Sequence, residues 1–453
     1  MPNEPISTRV MATYGMPGLP IAVAAVPVAV YLAPLYSSEK IGLSLTAIGA
    51  VIMLSRLWDG VSDPLIGYIS DRWQSPIGRR KPWLLLGTPL TMVGVFQLFV
   101  PPEGASLWYF GLWIVVFYTG WTMVTLPFGA WGAELSDEYA ERSRVTAYRE
   151  AWQLAGTVIS VIVPAVALVV GITGYANITL VLAWTVMIVF PICVVVPCLF
   201  VPDVAKNVGP PVDIRKGFRV IWSNGPFKRL LIAFAIQGMG RQFVAILFVL
   251  YTTHVIGAPD ASVLVLGGYF LAGIVGIPIW VKIADRIGKH KAWLYSMFVY
   301  NVPLACAMPL GEGDIVLFTI LATFAGLSVA AGTVLPLSMK ADVIDIDTLR
   351  SGKKRAGLFF ALWGIADKFS VALAAFVALS VLELSGFSAT IDNAEPALFT
   401  LSALYLLAPS VFSIVAAALI WNYPVTSERH QRIRARLEKR NLAREKAASA
   451  LPD

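Results

Sequence analysis

Residues 56–83, RLWDGVSDPLIGYISDRWQSPIGRRKPW, place Arg56, Asp59 and Asp63 inside an apolar run before breaking into a basic loop. Arg56 precedes Asp59 by three residues and Asp63 follows it by four, so a helix would carry all three on one face. In a bilayer such residues cost roughly 2.5–3.5 kcal/mol each at the helix centre, and they mark function by default. One acid beside Arg56 would read as a structural salt bridge. Two acids a turn apart exceed what one bridge needs, and so they point to a site that holds or exchanges positive charge.

The elements that position this trio follow from composition. The 453 residues are 57% hydrophobic and 14% charged, with a mean hydropathy of +0.72. Soluble globular chains carry about 25% charged residues. Apolar runs of about 20 residues, enough to cross a hydrocarbon core of about 30 Å, recur at 14–37, 45–68, 83–101, 107–133, 145–172, 178–201, 228–254, 262–282, 292–310, 315–338, 357–385 and 397–422. The fold class is an all-α polytopic membrane protein with twelve transmembrane helices. Pro101-Pro102, Gly171 to Gly174 and Gly311-Glu312-Gly313 punctuate the cuts. Pro17, Pro20, Pro27 and Pro34 in the first span are tolerable where neighbouring helices satisfy the freed backbone groups. Cys193, Cys198 and Cys306 lie in apolar runs and imply no disulfide framework. The N-terminus shows no basic segment followed by a short apolar one, so no cleaved signal is expected.

Alternating the loops between two sides puts every Lys and Arg on one side except Lys40, Arg56, Arg241 and Lys368. By the positive-inside rule that side is the cytoplasm, and both termini lie there. A bacterial inner membrane is the expected setting. The net charge of +7 is therefore a topology signal and calls for no nucleic-acid partner.

GYISDRWQSPIGRRKPWLL (67–85) and WVKIADRIGKHKAWL (280–294) repeat Asp-Arg, Gly, a basic cluster and Trp-Leu at the ends of even-numbered spans. Asp71-Arg72 and Asp285-Arg286 stand near half a chain apart. The organisation is a six-helix half over 1–201, a polar linker over 202–227, a second half over 228–422, and a basic tail over 423–453. Such two-half repeats are typical of secondary transporters, whose substrate sites lie between the halves near the midplane. The Asp-Arg-Gly-basic loop in both halves resembles the signature of the major facilitator superfamily.

Three further segments resemble the glycoside–pentoside–hexuronide:cation symporters, the melibiose-carrier family. They are Arg56-x-x-Asp59-x-x-x-Asp63-Pro64 running on to Gly78-Arg79-Arg80-Lys81-Pro82-Trp83; Leu126-Pro127-Phe128 through Glu141-Arg142 to Tyr148-Arg149; and Ala341-Asp342-Val343-Ile344-Asp345 through Lys353-Lys354-Arg355 to Lys368. The resemblance implies a symporter of a small polar solute, such as a glycoside, with Na+ or H+, and no cofactor. It implies that Asp59, Ser62, Asp63 and Thr122 hold the cation, that Lys368 lies near the acidic pair, and that Arg149 lines the sugar site. Galactoside carriers of that family also have acids on helices 1 and 4. Here no acid stands between Glu4 and Glu39, Thr125 fills the helix 4 position, and Gly129 replaces a site aromatic. A superfamily branch with the same helix 2 pattern carries lysophospholipids with sodium, which is the alternative reading.

Gln237, Arg241, Trp131 and Trp363 join Thr125 and Arg149 as substrate-path residues. Asp71, Arg72, Arg142, Asp285, Arg286, Asp342 and Asp345 form the expected gating set. Their charges can pair across the basic face. No metal-ligand cluster, nucleophile–base motif or nucleotide loop supports an enzyme. The expected partners are a small molecule, a monovalent cation and membrane lipid, with the chain acting as a monomer.

Overall fold

The computed structural model describes residues 6–73, 75–136, 138–203, 222, 224–351, 356–390 and 392–425. Most of the polar linker, the Lys353-Lys354-Arg355 cluster and most of the basic tail lie outside these residues. The chain is all-helical: α1 Thr8–Tyr36, α2 Leu45–Arg72, α3 Lys81–Phe99, α4 Leu107–Glu134, α5 Tyr139–Val169, α6 Tyr175–Phe200, α7 Gly225–His254, α8 Ser262–Ile287, α9 Lys289–Cys306, α10 Ile315–Leu349, α11 Ala356–Leu384 and α12 Glu395–Ile420. All except α9 are long and apolar enough to cross a membrane. The first turn of α9, Lys289-His290-Lys291, is polar, and the helix has 18 residues.

Prolines and glycines shape these helices locally. α1 is interrupted at Met16-Pro17, between Thr8–Gly15 and Gly18–Tyr36. Gly156 lets α5 lie directly against it, since a Cβ there would overlap the Leu19 carbonyl. α12 contains a π-helical turn at Ala403–Leu407. Helix α2 runs past the hydrophobic stretch expected to end at residue 68 and stops at Trp73, whose backbone is extended. Its buried face, Ile52, Ser55, Asp59, Ser62 and Ile66, repeats every three or four residues. Leu54, Leu57, Val61 and Leu65 point outward. The polar face thus turns into the protein and the apolar face away from it, reversing the pattern of a soluble helix.

α3 pairs with α4 and α1 with α5 in the first half, and α8 with α10 and α7 with α12 in the second. α2 packs on α11, α5 on α8, and α1 on α7 between the halves. The described basic loops, after α2, α4 and α8, lie at one end of the bundle. At the far end, Gly49 packs against the backbone of Ala375 and Phe376. Nearby, Glu383 of α11 accepts the Thr46 N–H at 2.6 Å and the Ser44 hydroxyl at 3.2 Å. The carboxylate therefore caps α2 across the two halves, where the helix dipole favours negative charge. Between the loops after α5 and α7, the Gly174 N–H donates to Asp260 at 3.0 Å. The halves are drawn together at the end away from the basic loops.

Candidate functional site

The opening trio meets α4 and α11 at mid-depth. The Lys368 ammonium lies 2.5 Å from Asp63 Oδ2 and 3.3 Å from Asp59 Oδ2. Arg56 Nη1 is 3.4 Å from the same Asp59 oxygen, and the Thr122 hydroxyl donates to Asp63 Oδ1 at 3.0 Å. Arg56 Nη2 donates to the Tyr118 hydroxyl at 2.6 Å. Tyr118 stands one turn before Thr122 on α4, a spacing that could have revealed it. The two acids and two bases balance, as burial at mid-membrane demands.

The remaining polar atoms set what this cluster can do. Asp59 Oδ1 and Ser62 Oγ are buried and have no hydrogen-bond partner among the described residues. A buried oxygen without a partner costs about 1–3 kcal/mol. Together with Asp63 and the Thr122 hydroxyl they form a set of hard oxygen donors of the kind a small monovalent cation takes. Lys368 fills the positive position between the carboxylates. Among the described residues, no group of three or more His, Cys, Asp or Glu is arranged to hold a metal.

A cavity of about 190 Å³ adjoins the cluster at Arg56 and Tyr118 and reaches Gln242 of α7. A second, of about 390 Å³, starts from Gln242, Arg241, Thr333 and Asp367 and extends among Val244, Phe248, Leu266, Phe270 and Tyr405. Gln242 lines both; as a single polar residue beside Arg241, it gives no sequence signal. Arg241 donates to Thr333 Oγ1 at 2.8 Å. Asp367 lines the larger cavity while its neighbour Lys368 turns to the acid pair, so the two consecutive charges serve different sites.

The other substrate-path residues are dispersed. Gln237 is buried and accepts from Trp293 Nε1 at 3.1 Å. Trp363 stacks on Phe234 with centroids 4.2 Å apart. Trp131 is fully buried near the basic end and donates to the Pro202 carbonyl at 2.9 Å. Thr125 bonds back to the Trp121 carbonyl at 2.9 Å. Arg149 pairs with Glu150 at 2.8 Å, although side chains one residue apart leave a helix about 100° apart. Its guanidinium is also the group nearest to the space a Cβ at Gly129 would occupy.

The expected gating residues pair mainly within each half. Arg80 bridges Asp71 at 2.7 Å and Glu134 at 2.6 Å, and Arg79 also reaches Glu134 at 2.6 Å. Lys289 pairs with Asp342 at 2.7 Å in the second half. Both are loop bases held by the acid of an adjoining helix, so the internal repeat extends to its ion pairs. Arg72 lies over the Tyr68 ring at 3.5 Å, and Arg142 Nε donates to the Ser136 carbonyl at 2.7 Å. Asp285 and Arg286 are exposed, and Asp345 is half-buried on α10. Asp203, which carried no sequence signal, accepts the Arg80 N–H at 2.7 Å at the start of α3. Gly78, at φ 114°, makes room for it, because a Cβ there would overlap the Asp203 side chain.

Comparison with known proteins follows the same lines. The family model described as MFS/sugar transport protein matches residues 13–427. The human sodium-dependent lysophosphatidylcholine symporter 1 is 28% identical over 442 residues, covering 89% of this chain and 80% of that protein. The Xenopus tropicalis sphingosine-1-phosphate transporter MFSD2B is 26% identical over 417 residues, covering 83% and 80%. Among solved structures, the nucleoside transporter NupG superposes with a TM-score of 0.66 at 12% identity, covering 92% of this chain and 100% of that one.

Proposed function

The chain belongs to the MFS/sugar transport protein family, and from that membership we propose that this multi-pass membrane transporter, which is not an enzyme, carries a lysolipid-like amphiphile together with sodium. The observation that carries the reading is the larger cavity. Its polar groups, Arg241, Gln242, Thr333 and Asp367, gather at mid-depth, while the rest of its wall is apolar or aromatic. A zwitterionic headgroup meets an arginine and an aspartate at one end, and an acyl chain meets hydrocarbon beyond. A glycoside needs hydrogen-bond partners around its whole ring, and these walls do not offer them. The glycoside reading therefore gives way to the lysolipid alternative, in keeping with the lysophosphatidylcholine and sphingosine-1-phosphate relatives. From the melibiose-carrier resemblance we keep the cation half of the site: Asp59, Ser62, Asp63 and Thr122.

Coupling follows from charge balance. With Arg56, Asp59, Asp63 and Lys368 the cluster is neutral, so an arriving sodium ion leaves it at +1 unless Lys368 withdraws. Lys368 and Asp367 are consecutive on α11, so that withdrawal is felt at the substrate cavity, and Gln242 links the two spaces from α7. The halves, 1–201 and 228–422, then rock about the site, releasing the Glu383 cap and re-forming contacts at the basic end. Asp71, Arg72, Arg142, Asp285, Arg286, Asp342 and Asp345 act there. Inward sodium movement gains about 2.3 kcal/mol per charge per 100 mV. The basic loops support a cytoplasmic placement of that end and of both termini, and the proposed setting is a bacterial inner membrane. The chain is read as a functional monomer.

The reading is tested by thermal stability of purified protein with lysophosphatidylcholine or melibiose, with and without sodium, across pH. Lysophosphatidylcholine and sodium should stabilise synergistically. A response to melibiose alone overturns the substrate assignment. A response that follows pH and ignores sodium replaces sodium with the proton.

A further inference from the structure

We propose that the outer face of the second half holds a resident anionic phospholipid, bound between α9 and α12 and separate from the transported molecule. A groove of about 850 Å³ runs between these helices. It continues past Ile414, Ala417, Trp421 and Asn422 into a space of about 770 Å³ that reaches Arg229 at the start of α7. Its depth comes from small side chains, Ala305, Ser410, Ser413 and Ala417, where larger ones would close the seam. Asn301 donates to Ser413 Oγ at 2.9 Å and accepts from Ser410 at 3.3 Å, so the polar groups in the seam satisfy one another. What faces outward is hydrocarbon, suited to acyl chains.

The basic end of the groove supplies the headgroup specificity. Lys291 and Arg229 are exposed, and among the described residues neither has an ion-pair partner. Lys291 lies in the first turn of α9, where the helix dipole adds positive potential, and Arg229 is the fifth residue of α7. Trp421 is 70% exposed beside them, as aromatic residues are at membrane interfaces. Two exposed cations at the interface, beside a groove lined mainly by apolar side chains, fit a phosphate-bearing lipid with net negative charge. The chain's own segment 426–453 is basic, and a second copy would bring the same cations, so charge disfavours both as occupants.

The test is a thermal-stability titration of full-length protein with phosphatidylglycerol and phosphatidylcholine of matched acyl chains. Phosphatidylglycerol should stabilise at lower concentration. Lys291→Gln with Arg229→Gln should remove that preference, weakening phosphatidylglycerol about fivefold per charge. Ala417→Trp, which fills the groove, should weaken phosphatidylglycerol while leaving the sodium and lysophosphatidylcholine responses intact. An unchanged lipid preference in the double variant overturns the site, as does equal stabilisation by the two lipids in the parent chain. Loss of the lysophosphatidylcholine response in Ala417→Trp would show that the groove belongs to the transport path, and would also overturn it. A lipid-independent dimer that the double variant dissolves would replace the phospholipid with a second copy.

Discussion

Replacing Lys368 with glutamine separates a cation competitor from a structural clasp. Its ammonium bridges Asp63 at 2.5 Å and Asp59 at 3.3 Å, and incoming sodium must break both contacts. Hydrogen bonds to charged groups are worth about 1.5–3 kcal/mol. The Lys368 side chain is 31% exposed, so the lower end of that range applies, about 1.5 kcal/mol in all. Removing this competitor should tighten sodium binding by about tenfold. The same substitution leaves the cluster at −1, so the variant should melt early without sodium and recover as sodium is added. Uptake should fall, because the withdrawal of Lys368 that moves α11 no longer occurs. The assay is melting temperature against sodium chloride at constant ionic strength, with choline chloride as the balance. Sodium affinity equal to or below that of the parent chain would refute the reasoning, since it would mean that Lys368 and sodium do not share one position.

Glu383→Gln removes the charged cap between α11 and α2, worth about 1–2 kcal/mol. It should move the population several-fold away from the far-end-closed state, read as a longer spin-label distance between the far ends of the halves; an unchanged distance distribution would contradict it. Glu134→Gln removes the carboxylate charge that the buried Arg79 and Arg80 share, while Arg80 keeps Asp71, and should cost about 3 kcal/mol; Asp71→Asn, at a more exposed partner of Arg80, should lower the melting temperature much less. Gly78→Ala adds a side chain at positive φ where Asp203 already fills the space, so it should destabilise the start of α3 by at least 1–2 kcal/mol, measured by melting. Glu141, three residues before the apolar stretch that begins at Arg144, accepts from Ser136 Oγ at 2.7 Å and the Ile6 N–H at 2.9 Å, which together hold its carboxyl below the ordinary value. That stabilisation is full above the ordinary carboxylate pKa and is lost as pH falls through the lowered one, so hydrogen exchange at Ile6, corrected for intrinsic rates, should quicken only at acid pH.

The twelve helices were legible because hydrophobic length is a one-dimensional property, and the basic loops oriented them. The α2 acids were legible because charge inside an apolar run has few bland explanations. Helix ends were less so: α2 reaches Arg72 and α5 begins at Tyr139, since a helix continues into polar residues that hydropathy assigns to loops. The partners of charges were hardest to read. Glu383 stands in the sequence as a single acid near the end of an apolar run, yet it caps α2 from 337 residues away along the chain. Gln242 carries no signal beyond being polar, and only the packing of α7 puts it against two cavities. The proposed substrate class was legible only as an alternative, through the absence of the galactoside-binding acids and a helix 2 pattern shared with a lysophospholipid-carrying branch. The apolar character of the cavity emerges from residues on six helices, which no local pattern brings together.

The central claim is that Asp59 and Asp63 bind the ion whose gradient drives an amphiphile through this chain. The direct measurement is uptake of labelled lysophosphatidylcholine into proteoliposomes under an imposed sodium gradient, comparing the parent chain with the Asp59→Asn/Asp63→Asn double variant. The account predicts sodium-driven uptake in the parent chain and none above the gradient-free rate in the variant. Sodium-driven uptake that survives the loss of both carboxylates would contradict it.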